Sequence, residues 1–331
     1  MNENVTRPSF GPAHQFPMTF GQILDRIFRL MRSQLKLFIA VSTVPAVAMV
    51  LMMALFFAIA FIPIFSQLPK QPDPAQMFRL MIPSMIFIMP LSLVIFALYL
   101  AASIHAAMQA NLGIPITFRE AYQVAWKRIG RYLWLLFLAY IIAFLPMLVI
   151  ELMMFAGMGL LTAGHTELSP GYFFLIPLGM LLFIAAMVYG VIMAMRLSLA
   201  FPASLAEDLT ARAALRRSGQ LTQGAKGRIF LVLLVIYALG YAAEMVGIMV
   251  LVVVIGIGAL AMAACGVQLL SVTGIIGIVL ASLCFAAFLY LWMSLIWSAF
   301  SASCAVLYHD QRLRKEGPPP ALPSMFVENQ A

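Results

Sequence analysis

The 331-residue sequence is 64% apolar and only 10% charged, with a formal net charge of +8. A soluble domain carries about 25% charged residues, so a charge content this low excludes a water-exposed globular surface and points to a multi-span membrane protein. The excess of positive charge does not indicate nucleic-acid binding, because the lysines and arginines gather in short clusters beside apolar runs, as membrane topology dictates.

In chain order, residues 1–18 read as an N-terminal cytoplasmic tail, 19–308 as a six-span membrane domain and 309–331 as a cytoplasmic, disordered tail ending in GPPPALPSMFVENQA. The apolar runs at 37–65, 81–111, 132–161, 172–204, 229–264 and 270–307 are all helix-length. None shows the alternation of a barrel strand, so the expected class is an all-α integral membrane protein with six transmembrane helices. Several runs exceed the ~20 residues needed to cross a bilayer, which predicts tilt or protrusion. Pro45, Pro90, Pro146 and Pro177 are candidate kink points. No cleavable signal peptide is expected, since polar residues run through the first segment and the first apolar run is too long for one.

Orientation follows from charge. Seventeen of the 20 lysines and arginines fall in four clusters that alternate spans place on one side: Arg7 to Lys36, Arg119 to Arg131, Arg212 to Arg228, and Arg312 to Lys315. The opposite loops carry only Lys70 and Arg79, and Arg196 lies within the fourth run. The excess of positive charge puts both termini in the cytoplasm.

The second and third clusters repeat the design of the first. With Thr19, Thr117 and Thr210 in register, positions +1, +4, +5, +8, +9 and +12 share one helix face. That face is large and apolar after Thr19 (Phe20, Ile23, Leu24, Ile27, Phe28, Met31). It is apolar and partly aromatic after Thr117 (Phe118, Ala121, Tyr122, Ala125, Trp126, Ile129). After Thr210 it is mostly small (Ala211, Ala214, Leu215, Ser218, Gly219, Thr222). The chain therefore reads as three weak repeats, each an amphipathic helix plus two spans. The first two helices are expected to lie in the membrane interface with their apolar faces toward acyl chains. The third is expected to pack on protein. Arg26, Arg29, Arg32, Lys127, Arg128, Arg216 and Arg217 are the predicted membrane-surface cations, each near anionic headgroups adding about 1 kcal/mol. Removing the charge of Arg216 and Arg217 is expected to weaken lipid or partner association. The bland alternative is that all three segments are only basic topogenic loops.

Four intramembrane polar residues stand out. Glu151 and Glu244 each follow their repeat's threonine by 34 residues. At 1.5 Å per residue they lie about 30 Å from Arg131 and about 24 Å from Arg228. They belong in the outer half, as a polar, proton-linked site or as structural acids. Arg196 is expected to pair with Glu207, Asp208, Asp310 or a lipid phosphate. His105 shares a face with Gln109 near the end of span two, and one histidine is no metal site. His309 reads as a surface position. The rows Ser294, Ser298, Ala302 and Ala102, Ala106, Ala110 look like close-packing faces. Cys265, Cys284 and Cys304 match no zinc spacing and read as small apolar residues. Hydrolase, zinc-protease and phosphate-loop motifs are all missing, and no cofactor or metal is expected.

Four stretches carry a family resemblance: TFGQILDRIFRLMRSQLKLFI (19–39), LGIPITFREAYQVAWKRIGRYLWLL (112–136), RLSLAFPASLAEDLTARAALRRSGQLTQGAKGRIFLVLL (196–234) and AVLYHDQRLRKEG (305–317). Together they resemble the membrane region of the glycerophosphoryl diester phosphodiesterase membrane-domain family. The resemblance implies a bacterial inner-membrane protein. The catalytic phosphodiesterase domain that follows such a region in the proteins naming the family has no counterpart here, so no phosphodiesterase activity is carried over. Two functions are expected from the sequence: a non-enzymatic protein that organises anionic lipids or a membrane protein partner through its basic helices, or a transporter or lipid-handling protein built around Glu151 and Glu244.

Overall fold

The computed structural model describes residues 16–65, 74–162, 172–264, 266 and 272–317. Among them the chain forms ten helices: α1 (Phe20–Ser33), α2 (Leu35–Phe65), α3 (Pro74–Asn111), α4 (Phe118–Lys127), α5 (Ile129–Thr162), α6 (Tyr172–Leu197), α7 (Ala200–Ala206), α8 (Ala211–Thr222), α9 (Lys226–Ala264) and α10 (Val272–Glu316). Six of them, α2, α3, α5, α6, α9 and α10, are long and apolar enough to cross a membrane. The protein is thus an all-α, multi-pass membrane protein. The helices run without interruption through Pro45, Pro90, Pro146 and Pro177.

Three predicted boundaries move. The fourth run does not reach 204: α6 stops at Leu197 and α7 begins at Ala200. Pro202 explains the break. In a continuous helix it would lack the N–H that bonds Ser198, whereas in the first turn of α7 that N–H has no helical partner to lose. Ser198 Oγ closes the corner by donating to the Met195 carbonyl at 2.8 Å. Residues 309–316 of the predicted tail are helical instead, because α10 continues to Glu316 with Asp310 and Gln311 fully buried, and the rest of that tail lies outside the described residues. The predicted N-terminal tail also yields a residue to the fold. Met18 is buried, its N–H donates to Asp310 Oδ1 at 2.8 Å, and its carbonyl accepts from Arg314 at 2.6 Å and from Arg228.

Thr19, Thr117 and Thr210 stand immediately before α1, α4 and α8 as their N-caps. The first two close capping boxes with Gln22 and Glu120, which satisfy orphan amides at the helix start. Four and eight residues beyond each threonine the side chain is fully buried: Ile23 and Ile27, Ala121 and Ala125, Ala214 and Ser218. This corrects the expected surroundings of the first helix in part, since Phe20 and Phe28 stay exposed while the rest of the stripe does not. Ile23, Ile27 and Leu30 of α1 pack against α10 and α9 rather than acyl chains, because the buried ends of those helices offer a protein surface to the same apolar stripe. The α8 helix packs on protein as expected.

Two apolar clusters hold the bundle, and both lie at the end that bears the basic residues. One joins α1, the start of α2 and α9, and the ends of α3 and α10 around Phe38, Ile229 and Leu307. The other joins α3, α4, α5, α7 and α8 around Ile104, Tyr132 and Leu135. The small-residue rows are interfaces. Ser298 and Ala302 on α10 and Ala102 and Ala106 on α3 are fully buried, and α10 packs along both α2 and α3. Small side chains let the backbones approach. The Ser298 hydroxyl lies 3.2 Å from that of Ser42 and 3.0 Å from the Tyr99 hydroxyl.

Candidate functional site

The four predicted intramembrane polar residues do not form one site. Glu151 is exposed on α5, along a groove made only of that helix's own residues from Tyr140 to Leu148. Glu244 is partly buried on α9. The two helices carrying them each pack on α6, and no hydrogen bond or ion pair joins either glutamate to another described residue.

His105 has company that its sequence position did not reveal. A cavity of about 310 Å³ between α3, α7 and α10 is lined by His105, Gln109, Tyr308, His309 and Arg312. His309 therefore faces this cavity and not simply a surface. Its position follows from the continuation of α10 past residue 308. Among the described residues no group of three or more histidines, cysteines or carboxylates could hold a metal ion.

The predicted membrane-surface cations divide into braces and free charges. Arg26 turns inward, donating from Nε to Asn111 Oδ1 at 3.0 Å and from Nη2 to the Asn111 carbonyl at 2.7 Å, so it caps the end of α3. Its burial, and then the charge of Arg29, push its guanidinium below the usual arginine range. Arg128 and Arg131 both bond Asp208. Arg217 holds Glu207 at 3.0 Å and also meets Glu316, while Tyr308 donates to Glu207 at 2.7 Å. Burial disfavours the Arg217 charge, but the hydrogen bonds it donates to Glu316 and Glu207 outweigh that and raise its pKa. Arg26, Arg128 and Arg217 are thus structural, because carboxylates and a helix-end carbonyl lie within reach of them. Arg29 pairs with Asp25 on an exposed surface, a contact worth at most about 1 kcal/mol. Arg32, Lys127 and Arg216 are exposed and have no ion-pair partner among the described residues.

On α4 the small residues face inward and the large ones outward. Phe118 is 48% and Trp126 63% exposed, beside the exposed Arg119 and Lys127. These four, with Val44, Leu98, Tyr122 and Gln123, border an open groove of about 730 Å³. The Tyr122 hydroxyl donates to the Val41 carbonyl at 2.7 Å, which fixes α4 against α2.

Arg196 meets none of the carboxylates predicted for it, since Glu207, Asp208 and Asp310 are all engaged by other arginines. It lies instead over Gly219, in a cavity with Arg216 and Lys226. Comparisons of the chain with known protein families, with curated proteins and with solved structures find no match.

Proposed function

We propose that this is a non-enzymatic bacterial inner-membrane protein, with both termini cytoplasmic, that organises anionic lipids or membrane partners through its basic end. The observation that carries this reading is the outward face of α4. Two aromatic side chains and two unpaired cations on one exposed helix suit the boundary between acyl chains and headgroups, where rings bury and cations meet phosphates. The reading rests on α4 first, since α8 packs on protein and α1 buries Ile23, Ile27 and Leu30 there, leaving only Phe20 and Phe28 of its stripe exposed. The common threonine caps and the shared burial four and eight residues later support a threefold repeat of short helix plus two spans. Membership of the glycerophosphoryl diester phosphodiesterase membrane-domain family rests on the four quoted segments. The transporter alternative gains no support from Glu151 and Glu244, which no hydrogen bond or ion pair joins to each other among the described residues.

The test is lipid composition around the protein. Extracted in native-lipid particles, the wild type should carry anionic lipid in excess over the bulk membrane. An Arg119→Gln/Lys127→Gln variant should lose most of that excess, and Phe118→Ala/Trp126→Ala should reduce it. An unchanged lipid profile in both variants would sink the proposal.

A further inference from the structure

We infer that the cavity around Arg196 is a binding site for a phosphate group. Its residues differ from those of the α4 groove, and it does not depend on that groove's role. Arg196 ends α6, Arg216 lies on α8 and Lys226 is the first residue of α9. Three separate elements therefore deliver one cation each to a space of about 400 Å³, completed by Gly219, Gln220 and Gln223. No carboxylate and no apolar side chain lines it. None of the three cations has an ion-pair partner among the described residues, while Arg128, Arg131, Arg217, Arg312 and Arg314 nearby all do. All three side chains are exposed, so water and salt screen much of their repulsion, and a compact dianion with several acceptor oxygens offsets what remains. The guanidiniums supply forked donors, Lys226 a point charge and the two amides further donors. The N-terminus of α9 adds the positive end of its dipole.

The site is held in place by its neighbours. Ser218 Oγ donates to the Arg196 carbonyl at 2.7 Å, stitching α8 to the end of α6. Gly224 turns the chain from α8 into α9 with φ of +79°, a conformation that glycine adopts at no steric cost. Gly219 has a separate use. A Cβ there would lie 3.1 Å from Arg196 Nε, so the absence of a side chain lets the guanidinium lie flat over α8. Lys315 donates to the Gln220 carbonyl and brings a fourth positive charge close by.

The phosphate can belong to a lipid headgroup or to a soluble phosphate ester, and the experiment distinguishes the two. The full chain in phosphatidylcholine nanodiscs would be titrated with inorganic phosphate, and separately assembled with phosphatidate and examined by native mass spectrometry. Arg196→Gln/Arg216→Gln should weaken binding of the responding probe at least about tenfold, since each lost charge-assisted hydrogen bond contributes about 1.5–3 kcal/mol. Gly219→Ala should weaken it several-fold in the wild type and not at all once Arg196 is Gln, which a general effect on folding would not reproduce. Response to inorganic phosphate assigns a site open to water, and response to phosphatidate alone assigns a headgroup site. If neither probe binds, or if binding is the same in the double variant, there is no phosphate site here. The Arg119→Gln/Lys127→Gln variant should leave this binding intact, so failure here and failure of the α4 reading are read separately.

Discussion

The two ends of the bundle are built differently. At the basic end, short helices, helix corners and part-exposed ion pairs fill the space between spans, and residues such as Ile229 and Leu307 are wholly buried. Toward the far end α5 and α6 stay in contact, with Gly157 against Leu175 and Gly179 against Met154, but few described side chains are fully buried. Leu148, Leu152, Met153 and Phe155 on α5 and Val250, Val254, Ile257 and Leu260 on α9 are exposed. Lipid can cover them, because acyl chains are as apolar as leucine and no water drives the helices together there. The fold is thus held from one side, and specific chemistry collects on that side: every ion pair among the described residues lies there.

The sharpest way to break this contrast is one substitution made twice on one helix. Ile229 is fully buried near the start of α9, and Ile257 is 61% exposed near its other end. Ile229→Ala should cost about 2–5 kcal/mol through lost burial and the cavity left behind. Ile257→Ala should cost no more than about 0.5 kcal/mol. Equilibrium unfolding in a single detergent compares them directly. Equal losses would mean that the far end packs tightly against something, and the contrast would collapse.

A smaller difference is expected for acids at the two ends. Asp310 is fully buried and accepts from the Met18 backbone, from Gln311 and from Arg314, so it fastens the entry of α1 to the end of α10. Asp310→Ala leaves a buried amide and a guanidinium without their acceptor, and should cost about 2 kcal/mol. Amide exchange should rise first around Met18 and α1. Glu151→Ala removes an exposed, unpartnered side chain and should change stability by less than about 0.5 kcal/mol. A large effect at Glu151 would return it to the list of functional residues.

Much of the architecture is legible in the sequence because one physical constraint dominates it. Apolar runs of helix length must span, and their flanking cations mark one end. The threonine register was legible for the same kind of reason, since a cap and two buried positions recur at fixed spacing. Which partner each short helix finds was not. The stripe of Ile23, Ile27 and Leu30 is equally suited to lipid or to protein, and only the adjacent ends of α9 and α10 decide. The arginines show the same gap. Arg26, Arg216 and Arg217 look alike in sequence, yet Asn111 turns one inward, Glu207 and Glu316 take another, and Arg216 alone is left for the cavity with Arg196. Two local signals carry part of that information: Pro202, which stops α6, and Gly219, which admits Arg196.

The weakest effect separates two helices within the dense end. Both α1 and α4 begin with a capping box, but Gln22 closes the first and Glu120 the second. Glu120 accepts from the Thr117 backbone at 2.9 Å, and the Thr117 hydroxyl accepts from the Glu120 amide at 3.3 Å. Those contacts hold the Glu120 carboxyl below its ordinary value of 4.5. A carboxyl lowered in the folded state stabilises above its unfolded value, and that contribution is lost as pH falls through the folded one. The first turn of α4 should therefore lose amide protection as the solution is taken below pH 4.5, while the first turn of α1, closed by a group that does not titrate, should keep its own. Glu120→Gln should make α4 behave like α1. If both turns loosen together, acid acts on the shared core beneath them and not on the cap. If neither does, the Glu120 contact is too solvated to contribute to the start of α4.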